Sequence, residues 1–166
     1  MAINFLSWNC HGVRSHIDDI KSILNKYQPV CLGLQETYLS PVDTVKIKFY
    51  NIIRKDYTQG ARASGGVALL ISKHFPFIEI PLTNVIQAVA IQLQIDVLVT
   101  VCFIYLPPNQ NYTQNELDDL INQLPQPFIL MGDFNGHNPI WGSPDINSPQ
   151  GHIFFRCDGI HDPEVP

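Results

Sequence analysis

Residues 97–105 read Val-Leu-Val-Thr-Val-Cys-Phe-Ile-Tyr, a run of strand length that is apolar almost throughout. A strand with one face in water alternates apolar and polar residues, so this run predicts a strand that is buried on both faces. The segment before it, residues 89–95, does alternate, with Val, Ile or Leu at every second position. That alternation predicts a half-buried strand beside the fully buried one.

Two helices are predicted from apolar residues that recur at helical spacing. Residues 16–27 form the first, with Ser15 and Asp18 as its predicted capping box. Thr113 and Glu116 are the predicted capping box of the second, which ends before Pro125. Its apolar stripe consists of Leu117, Leu120, Ile121 and Leu124.

Further short apolar runs predict the remaining strands, at residues 3–9, 30–34, 50–54, 67–72 and 128–131. Ser148-Pro149 has the pattern of a helix start, so a third helix is predicted to run to about residue 157. The order strand, helix, many strands, helix, strand predicts an α/β fold. We expect a layered α/β sandwich in which two β-sheets pack together with helices outside, with one layer incomplete at the C-terminal side.

The composition is that of a globular domain. The 166 residues are 45% hydrophobic and 15% charged, with a formal net charge of −5. Neither a membrane span nor a secretory signal is predicted. A negative balance weakens a pure nucleic-acid-binding role more than an enzymatic one, because backbone affinity comes largely from Lys and Arg. One local basic group has two open interpretations, a solvated edge or a nucleic-acid contact: Lys46, Lys48, Arg54, Lys55 and Arg62.

The cysteines show no metal-binding spacing. No Cys-x-x-Cys occurs, and Cys10, Cys31 and Cys102 lie in apolar, strand-like runs. Buried free thiols in a reducing, intracellular compartment are therefore expected.

Polar side chains follow several of the predicted strands. They are Asn9, Glu36, Tyr105, Asp133 and Asn135. Strand ends in layered α/β folds share one face, so these positions are expected to converge. A carboxylate such as Glu36 suits Mg²⁺, Tyr105 can hydrogen-bond a phosphate oxygen, and Asp133 can align or deprotonate a water. Taken singly, each residue also fits ordinary turn or surface chemistry.

Four segments, in order along the chain, resemble motifs of the endonuclease/exonuclease/phosphatase superfamily. They are Ser7-Trp8-Asn9-Cys10-His11-Gly12, Leu34-Gln35-Glu36-Thr37, Tyr105-Leu106-Pro107-Pro108 and Gly132-Asp133-Phe134-Asn135. The resemblance implies a metal-dependent phosphodiesterase. It also implies that the metal is Mg²⁺, with Mn²⁺ as a substitute, and that Glu36 assisted by Asn9 holds it. Asp133, Asn135 and Tyr105 are expected from the same resemblance to act with these two in catalysis.

A further loop narrows the branch. His137 followed by Pro139-Ile140-Trp141-Gly142-Ser143, together with Gly65-Gly66-Val67, resembles apurinic-type endonuclease domains of jockey-like non-LTR retrotransposons. That resemblance implies DNA as substrate, no membrane, and a C-terminal reverse transcriptase in a parent element that acts in the nucleus. It also implies His11, Asn109, His137 and Trp141 as substrate-binding residues. The alternative for Trp141 is that it fills the core. A phosphatase or lipid phosphodiesterase of the same superfamily is a further alternative for the function, but this loop does not fit it well.

Two features depart from the family pattern. His11 stands where many repair enzymes of the superfamily carry an aspartate. The last two motifs, a serine-rich strand with an aspartate and a terminal Ser-Asp-His, are absent, and His161-Asp162 is a poor substitute. Residues 1–157 are therefore expected to form a partial, inactive domain with an unstructured tail at 158–166. A non-catalytic remnant with weak nucleic-acid binding is the alternative.

Overall fold

The structure, a computed structural model, describes residues 3–136. In chain order the elements are β1 (Phe5–Asn9), α1 (Ile17–Tyr27), β2 (Cys31–Gln35), β3 (Tyr50–Lys55), β4 (Thr58–Gln59), β5 (Arg62–Ala63), β6 (Val67–Ser72), β7 (Phe77–Ile80), β8 (Gln87–Gln94), β9 (Leu98–Tyr105), α2 (Gln114–Asn122) and β10 (Phe128–Asp133). The predicted third helix at 148–157 and the tail at 158–166 lie outside the described residues.

The strands form two four-stranded sheets and a small hairpin. The first sheet has the order β1-β2-β6-β3, the second β10-β9-β8-β7, and β4 pairs only with β5. In each large sheet one pair is parallel, β1 with β2 and β9 with β10, and the other pairs are antiparallel. The parallel pairs carry the ends of four strands to the same edge of the domain.

The two sheets pack face to face over one hydrophobic core. Side chains of β6, such as Leu69 and Ile71, share this core with Val101 and Phe103 of β9. Gly33 of β2 allows a close approach of the two sheets, because a Cβ there would overlap the ring of Phe103. The absence of a side chain at this position lets the ring of one sheet reach the backbone of the other.

Each sheet is covered on its outer face by one helix. Ile20 and Leu24 of α1 pack in one cluster with Leu32 of β2, and Leu117 and Leu120 of α2 pack in another with strands of the second sheet. The predicted layered α/β sandwich, with two packed sheets flanked by helices, is therefore confirmed.

Most of the apolar run at 97–105 forms β9, which is buried on both faces along most of its length, as predicted, whereas Val97 lies before the strand and is exposed. The prediction for the neighbour of β9 was confirmed in part, because residues 89–94 do lie in the strand β8, but that strand is not half-buried along its whole length. In β8, Ala88 and Ala90 on the outward face are also buried, because they lie in the cluster that α2 covers. Only the far end of β8 has the half-buried pattern, with Gln94 exposed. The strand β7 and the β4–β5 hairpin were not predicted.

The two predicted capping boxes had different outcomes. Thr113 accepts a hydrogen bond from the Glu116 N–H and Glu116 accepts one from the Thr113 N–H, so the second box is confirmed. The box at Ser15 was wrong, since α1 begins after His16 and has no side-chain cap. The backbone amides of Gly12 and Val13 donate to the carbonyls of Glu36 and Thr37, just after β2. These bonds hold the chain against that segment until shortly before the helix.

The thiols of Cys10, Cys31 and Cys102 are buried and free, as predicted. Burial raises the pKa of Cys31 and of Cys102 to about 12, so both remain neutral thiols. No helix within residues 3–136 is long and apolar enough to cross a membrane.

Candidate active site

The predicted polar residues meet at the shared edge of the two sheets. Asn9 ends β1, Glu36 directly follows β2, and Tyr105 and Asp133 are paired at the ends of β9 and β10. The amide of Asn9 connects the sheets, because its Nδ2 donates to Glu36 Oε1 at 2.9 Å and to Asp133 Oδ2 at 2.7 Å. Residues that are far apart in sequence therefore form one continuous polar cluster.

Glu36 is the centre of this cluster. Its Oε1 accepts from Asn9 and, at 3.0 Å, from the hydroxyl of Tyr105. Its Oε2 accepts from the hydroxyl of Tyr38 and lies 2.7 Å from Nδ1 of His11. Partial burial acts to raise the pKa of Glu36, but these hydrogen bonds and the nearby His11 outweigh it and hold the pKa below its ordinary value. The carboxylate is therefore ionised at neutral pH.

The pKa values of Tyr38 and Tyr105 are shifted in the opposite direction, upward. Burial, reinforced by the bond to Glu36, raises the pKa of Tyr105 well above its ordinary value. The hydrogen bond to Glu36 raises the pKa of Tyr38 to about 12. Both phenols consequently keep their protons at neutral pH and act as hydrogen-bond donors.

Asp133 and Asn135 are held by the turn that follows β10. Asp133 Oδ1 accepts from the backbone N–H of Asn135 at 3.1 Å, and Asn135 Nδ2 donates to the carbonyl of Leu106 at 2.9 Å. One amide hydrogen of Asn135 is thus directed to the backbone. Gly132 permits the approach of β10 to β9, because a Cβ at this residue, where φ is +146°, would overlap the carbonyl oxygen of Ile104.

Backbone strain is concentrated around this cluster. Within residues 3–136, four of the six non-glycine residues with positive φ belong to it: His11, Glu36, Tyr38 and Asn135. Such conformations cost on the order of 1–3 kcal/mol each and persist where surrounding contacts impose them. The Gly65-Gly66 turn supplies two of those contacts, since its carbonyls accept from the N–H groups of Thr37 and Tyr38.

A pocket of about 310 Å³ opens beside the Glu36 carboxylate. It is lined by Glu36, Tyr38, Tyr57, Gln59, Ser64, Gly65, Gln87, Tyr105, Pro107, Pro108, Asn109 and Gln110. Asn109, which was predicted to bind substrate, is an exposed residue of this lining. A larger cavity, of about 520 Å³, lies between α1 and the start of β3, at the opposite end of the sheet. Cavity size alone therefore does not identify the site.

Three residues of the site were not predicted from the sequence. Tyr38 donates a hydrogen bond to Glu36, Gln87 accepts one from Gly66 in the supporting turn, and Tyr57 lines the pocket. No local pattern indicated these contacts, because they depend on how the strands pair, as in the register that places Gln87 opposite Tyr105. His137 and Trp141, which were predicted to bind substrate, lie outside the described residues.

The predicted basic group does not act as one surface. Arg54 donates to the carbonyls of Ser40 and Asp43, and Lys55 Nζ donates to those of Asn84 and Ile86 at 2.9 and 2.7 Å. These two cations therefore stabilise loops. The other three, Lys46, Lys48 and Arg62, are exposed.

The capacity of the cluster to hold a metal rests on few groups. Within residues 3–136 no three His, Cys, Asp or Glu side chains are placed to share one ion. Asn9 Oδ1, however, is buried and has no hydrogen-bond partner among those residues. An ionised carboxylate beside an unsatisfied amide oxygen fits a hard cation that keeps most of its waters.

Comparison with known proteins adds a family and several similar chains. A model described as the Endonuclease/Exonuclease/phosphatase family matches residues 6–164. A "Probable RNA-directed DNA polymerase from transposon X-element" of Drosophila melanogaster is 27% identical over 146 residues, which is 86% of this chain and 16% of that protein. The "RNA-directed DNA polymerase from mobile element jockey" of the same species is 25% identical over 149 residues, 88% of this chain and again 16% of the relative.

Solved structures share the fold. The endonuclease domain of TRAS1, described as a telomere-specific non-LTR retrotransposon, superposes with a TM-score of 0.71 at 15% identity, over 93% of this chain and 68% of that one. An AP endonuclease from Archaeoglobus fulgidus superposes with a TM-score of 0.60 at 16% identity, over 84% of this chain and 60% of that one.

Proposed function

The chain belongs to the endonuclease/exonuclease/phosphatase family, and from that membership we propose that it is a Mg²⁺-dependent endonuclease domain that cleaves phosphodiester bonds in DNA. The observation that carries the proposal is the hydrogen-bonded cluster of Asn9, Glu36, Tyr105 and Asp133 across the two sheets. Its groups are an ionised carboxylate, a protonated phenol, an amide and a second carboxylate, which together suit hydrolysis of a phosphate ester.

In this proposal each residue has a separate role. Tyr105 keeps its proton, and when substrate binds its hydroxyl donates to a phosphate oxygen in place of Glu36. Asp133 accepts a proton from the attacking water, since each carboxylate oxygen retains a lone pair beyond the bonds from Asn9 and Asn135. Asn9 keeps Glu36 and Asp133 at a fixed separation. Asn109, together with His11, contacts the DNA from the edge of the pocket.

Glu36 and Asn9 are the residues that hold the metal. The carboxylate of Glu36 already accepts from three side chains and lies against His11, so a cation replaces one of these contacts, and His11 is the most exposed of the four residues, with 69% of its side chain accessible. The metal, when bound, stabilises negative charge on the phosphate. Mn²⁺ has similar ligand preferences and substitutes for Mg²⁺.

The metal site is tested by titrating the 166-residue chain with Mn²⁺ and following water proton relaxation. Glu36→Gln should weaken binding at least tenfold, because it replaces the anionic ligand. Glu79→Gln, on the exposed strand β7, removes the same charge far from the site and should change nothing. Equal Mn²⁺ binding by wild type and Glu36→Gln would remove Glu36 from the proposed site.

The parent of this domain, we further propose, is a non-LTR retrotransposon protein that nicks target DNA in the nucleus and carries a C-terminal reverse transcriptase. Two curated relatives are named as RNA-directed DNA polymerases of transposons, and the chain spans 16% of the length of each. This likeness supports the parentage, as does the loop from His137 to Ser143.

A second function is favoured by one observation, the absence of a Ser-Asp-His motif from the 166 residues. In the family this histidine, oriented by an aspartate, contacts the phosphate. Loss of one such electrostatic element typically costs on the order of 10²–10³ in rate. The chain by itself is then a non-catalytic protein that binds nucleic acid weakly.

Nicking of supercoiled DNA separates the two functions. We expect no Mg²⁺-dependent nicking by the 166-residue chain. Fusion of a C-terminal segment with the aspartate strand and Ser-Asp-His from a complete relative should restore nicking, and Asp133→Ala should abolish it again. A fusion that folds but does not nick would contradict the endonuclease proposal. Nicking by the short chain that depends on Glu36 and Asp133 would contradict the non-catalytic one.

A further inference from the structure

The pocket beside Glu36 contains a buried hydrogen-bond donor without an acceptor. Gln87 is 1% exposed, and its Oε1 accepts from the backbone N–H of Gly66 at 2.6 Å. Its Nε2 has no hydrogen-bond partner within residues 3–136. Leaving such a group unpaired destabilises the free protein. A bound ligand with an acceptor would recover this free energy.

The orientation of this amide is fixed by the fold. The backbone N–H of Gly66 is a donor, so the oxygen of the Gln87 amide must face it. The NH₂ group of the same amide therefore points away from Gly66. Gly65 makes room for the side chain, because a Cβ there would lie 2.8 Å from Gln87 Oε1. Gln87 also pairs directly with Tyr105 in the second sheet, which places the amide next to the catalytic cluster.

The pocket around Gln87 has the chemistry of a site for a neutral, planar group. Among residues 3–136, its lining includes the tyrosines 38, 57 and 105 and no lysine, arginine or histidine, while the Glu36 carboxylate forms part of its wall. Beyond a metal held at Glu36, this lining offers a phosphate no cation, and the part of the pocket away from Glu36 presents only neutral groups. Aromatic side chains and amides, by contrast, are the groups that stack on and hydrogen-bond to nucleobases.

One wall of the pocket is held in place before any ligand binds. Gln110 Nε2 donates to the hydroxyl of Tyr57 at 2.9 Å, and Gln110 Oε1 accepts from the hydroxyl of Tyr112. Tyr112 is itself buried in the cluster beneath α2. Tyr57 is thereby fixed at the pocket by a chain of hydrogen bonds, which lowers the entropy cost of stacking a ligand on it.

We propose that this pocket receives an unpaired nucleobase of the DNA next to the cleaved bond, with Gln87 Nε2 donating to an acceptor on the base. The inference rests on the proposed nuclease function and specifies its substrate. A base that enters the pocket must leave the helical stack, which is unfavourable in a duplex and far less so in an unpaired strand. The domain consequently favours DNA whose strands are locally open at the cleavage site.

The test compares two single strands of equal length, an oligothymidylate and a strand of tetrahydrofuran abasic residues, each labelled with fluorescein. Anisotropy with the 166-residue chain should show about tenfold tighter binding of the thymidylate strand, the effect of stacking one base. Gln87→Met should weaken thymidylate binding by about fivefold and leave abasic binding unchanged, because one hydrogen bond to the base is lost. Gln94→Met is the matched control at the exposed end of the same strand, and it should match wild type.

A second measurement does not depend on a variant folding well. In ¹⁵N-labelled wild-type protein, the side-chain NH₂ resonances of Gln87 should shift with oligothymidylate and not with the abasic strand. Equal binding of both strands by wild type, or equal weakening of both by Gln87→Met, would overturn the nucleobase assignment and leave the nuclease proposal standing. Failure of wild type to bind either strand would count against DNA as the substrate, and the pocket proposal would fail with it.

Discussion

Replacement of Gly132 by alanine tests how closely the sheet and the site depend on one another. The new Cβ would overlap the Ile104 carbonyl oxygen and lie 2.8 Å from its carbon and 2.9 Å from the Ile104 nitrogen. Carbon atoms in contact are about 3.5–4.0 Å apart, so β10 would have to move away from β9 by roughly 1 Å. The residue also has φ of +146°, a conformation that alanine rarely adopts.

The expected loss of stability has two parts. Movement of β10 weakens two neighbouring ladder hydrogen bonds, at about 0.5–1.5 kcal/mol each. The backbone conformation adds about 1–3 kcal/mol. The free energy of unfolding should therefore fall by about 2–6 kcal/mol. Asp133 is the next residue, so its bond to Asn9 should be disturbed as well.

Gly60→Ala is the control, since Gly60 has φ of +61° and no atom within 4 Å of an added Cβ. It should cost about 1 kcal/mol, the backbone contribution of a left-handed alanine. Urea unfolding followed by circular dichroism measures both variants against wild type. If Gly132→Ala and Gly60→Ala lose stability equally, the close approach of β10 to β9 is not what requires the glycine.

Three further outcomes are expected. Glu36 has a folded-state pKa below its unfolded value of about 4.3, so its contribution to the free energy of unfolding is fully present above that value and is lost as the pH falls through the folded pKa. The urea midpoint of the wild type should therefore fall more steeply between about pH 5 and 3 than that of Glu36→Gln. Parallel curves for the two proteins would contradict this. Because the thiols of Cys31 and Cys102 are buried and neutral, a thiol reagent should leave both unlabelled in the native protein and label both in urea; rapid native labelling of either would show that the core opens. Thr113→Ala should lower the free energy of unfolding by about 1 kcal/mol through loss of the α2 cap, whereas Thr113→Ser, which keeps the hydroxyl, should stay close to wild type.

The strand ends that carry the site were predictable because they depend on local pattern. Runs of apolar residues end at Asn9, before Glu36 and at Tyr105, and parallel pairing brings such ends together. The resemblance of the four motifs supplied the roles that pattern alone left open. The position of Gln87 relative to Gly66, by contrast, is a contact between different sheets, and the sequence gives no local sign of it.

The errors have the same origin. The alternation in β8 correctly indicated a strand, but α2 buries its outward alanines, and no local pattern reveals which helix covers which sheet. A capping box at Ser15 is locally favourable, but it does not form, because Gly12 and Val13 are hydrogen-bonded to the carbonyls of Glu36 and Thr37 after β2. In both places tertiary contacts decide what local preference leaves undetermined.

The cluster spans the gap between the two sheets, so in the proposed nuclease the thickness of the sandwich would affect catalysis. Asn9 and Glu36 lie at the edge of one sheet, and Tyr105 and Asp133 at the edge of the other. The Asn9–Asp133 bond of 2.7 Å and the Tyr105–Glu36 bond of 3.0 Å therefore form only at one distance between the two sheets. Phe103 against Gly33 sets that distance from within the core. A repacked core that unfolds as reluctantly as the original, yet is slightly thicker, would separate the two halves of the site. Selection for activity therefore constrains the interior of this domain more narrowly than selection for stability does.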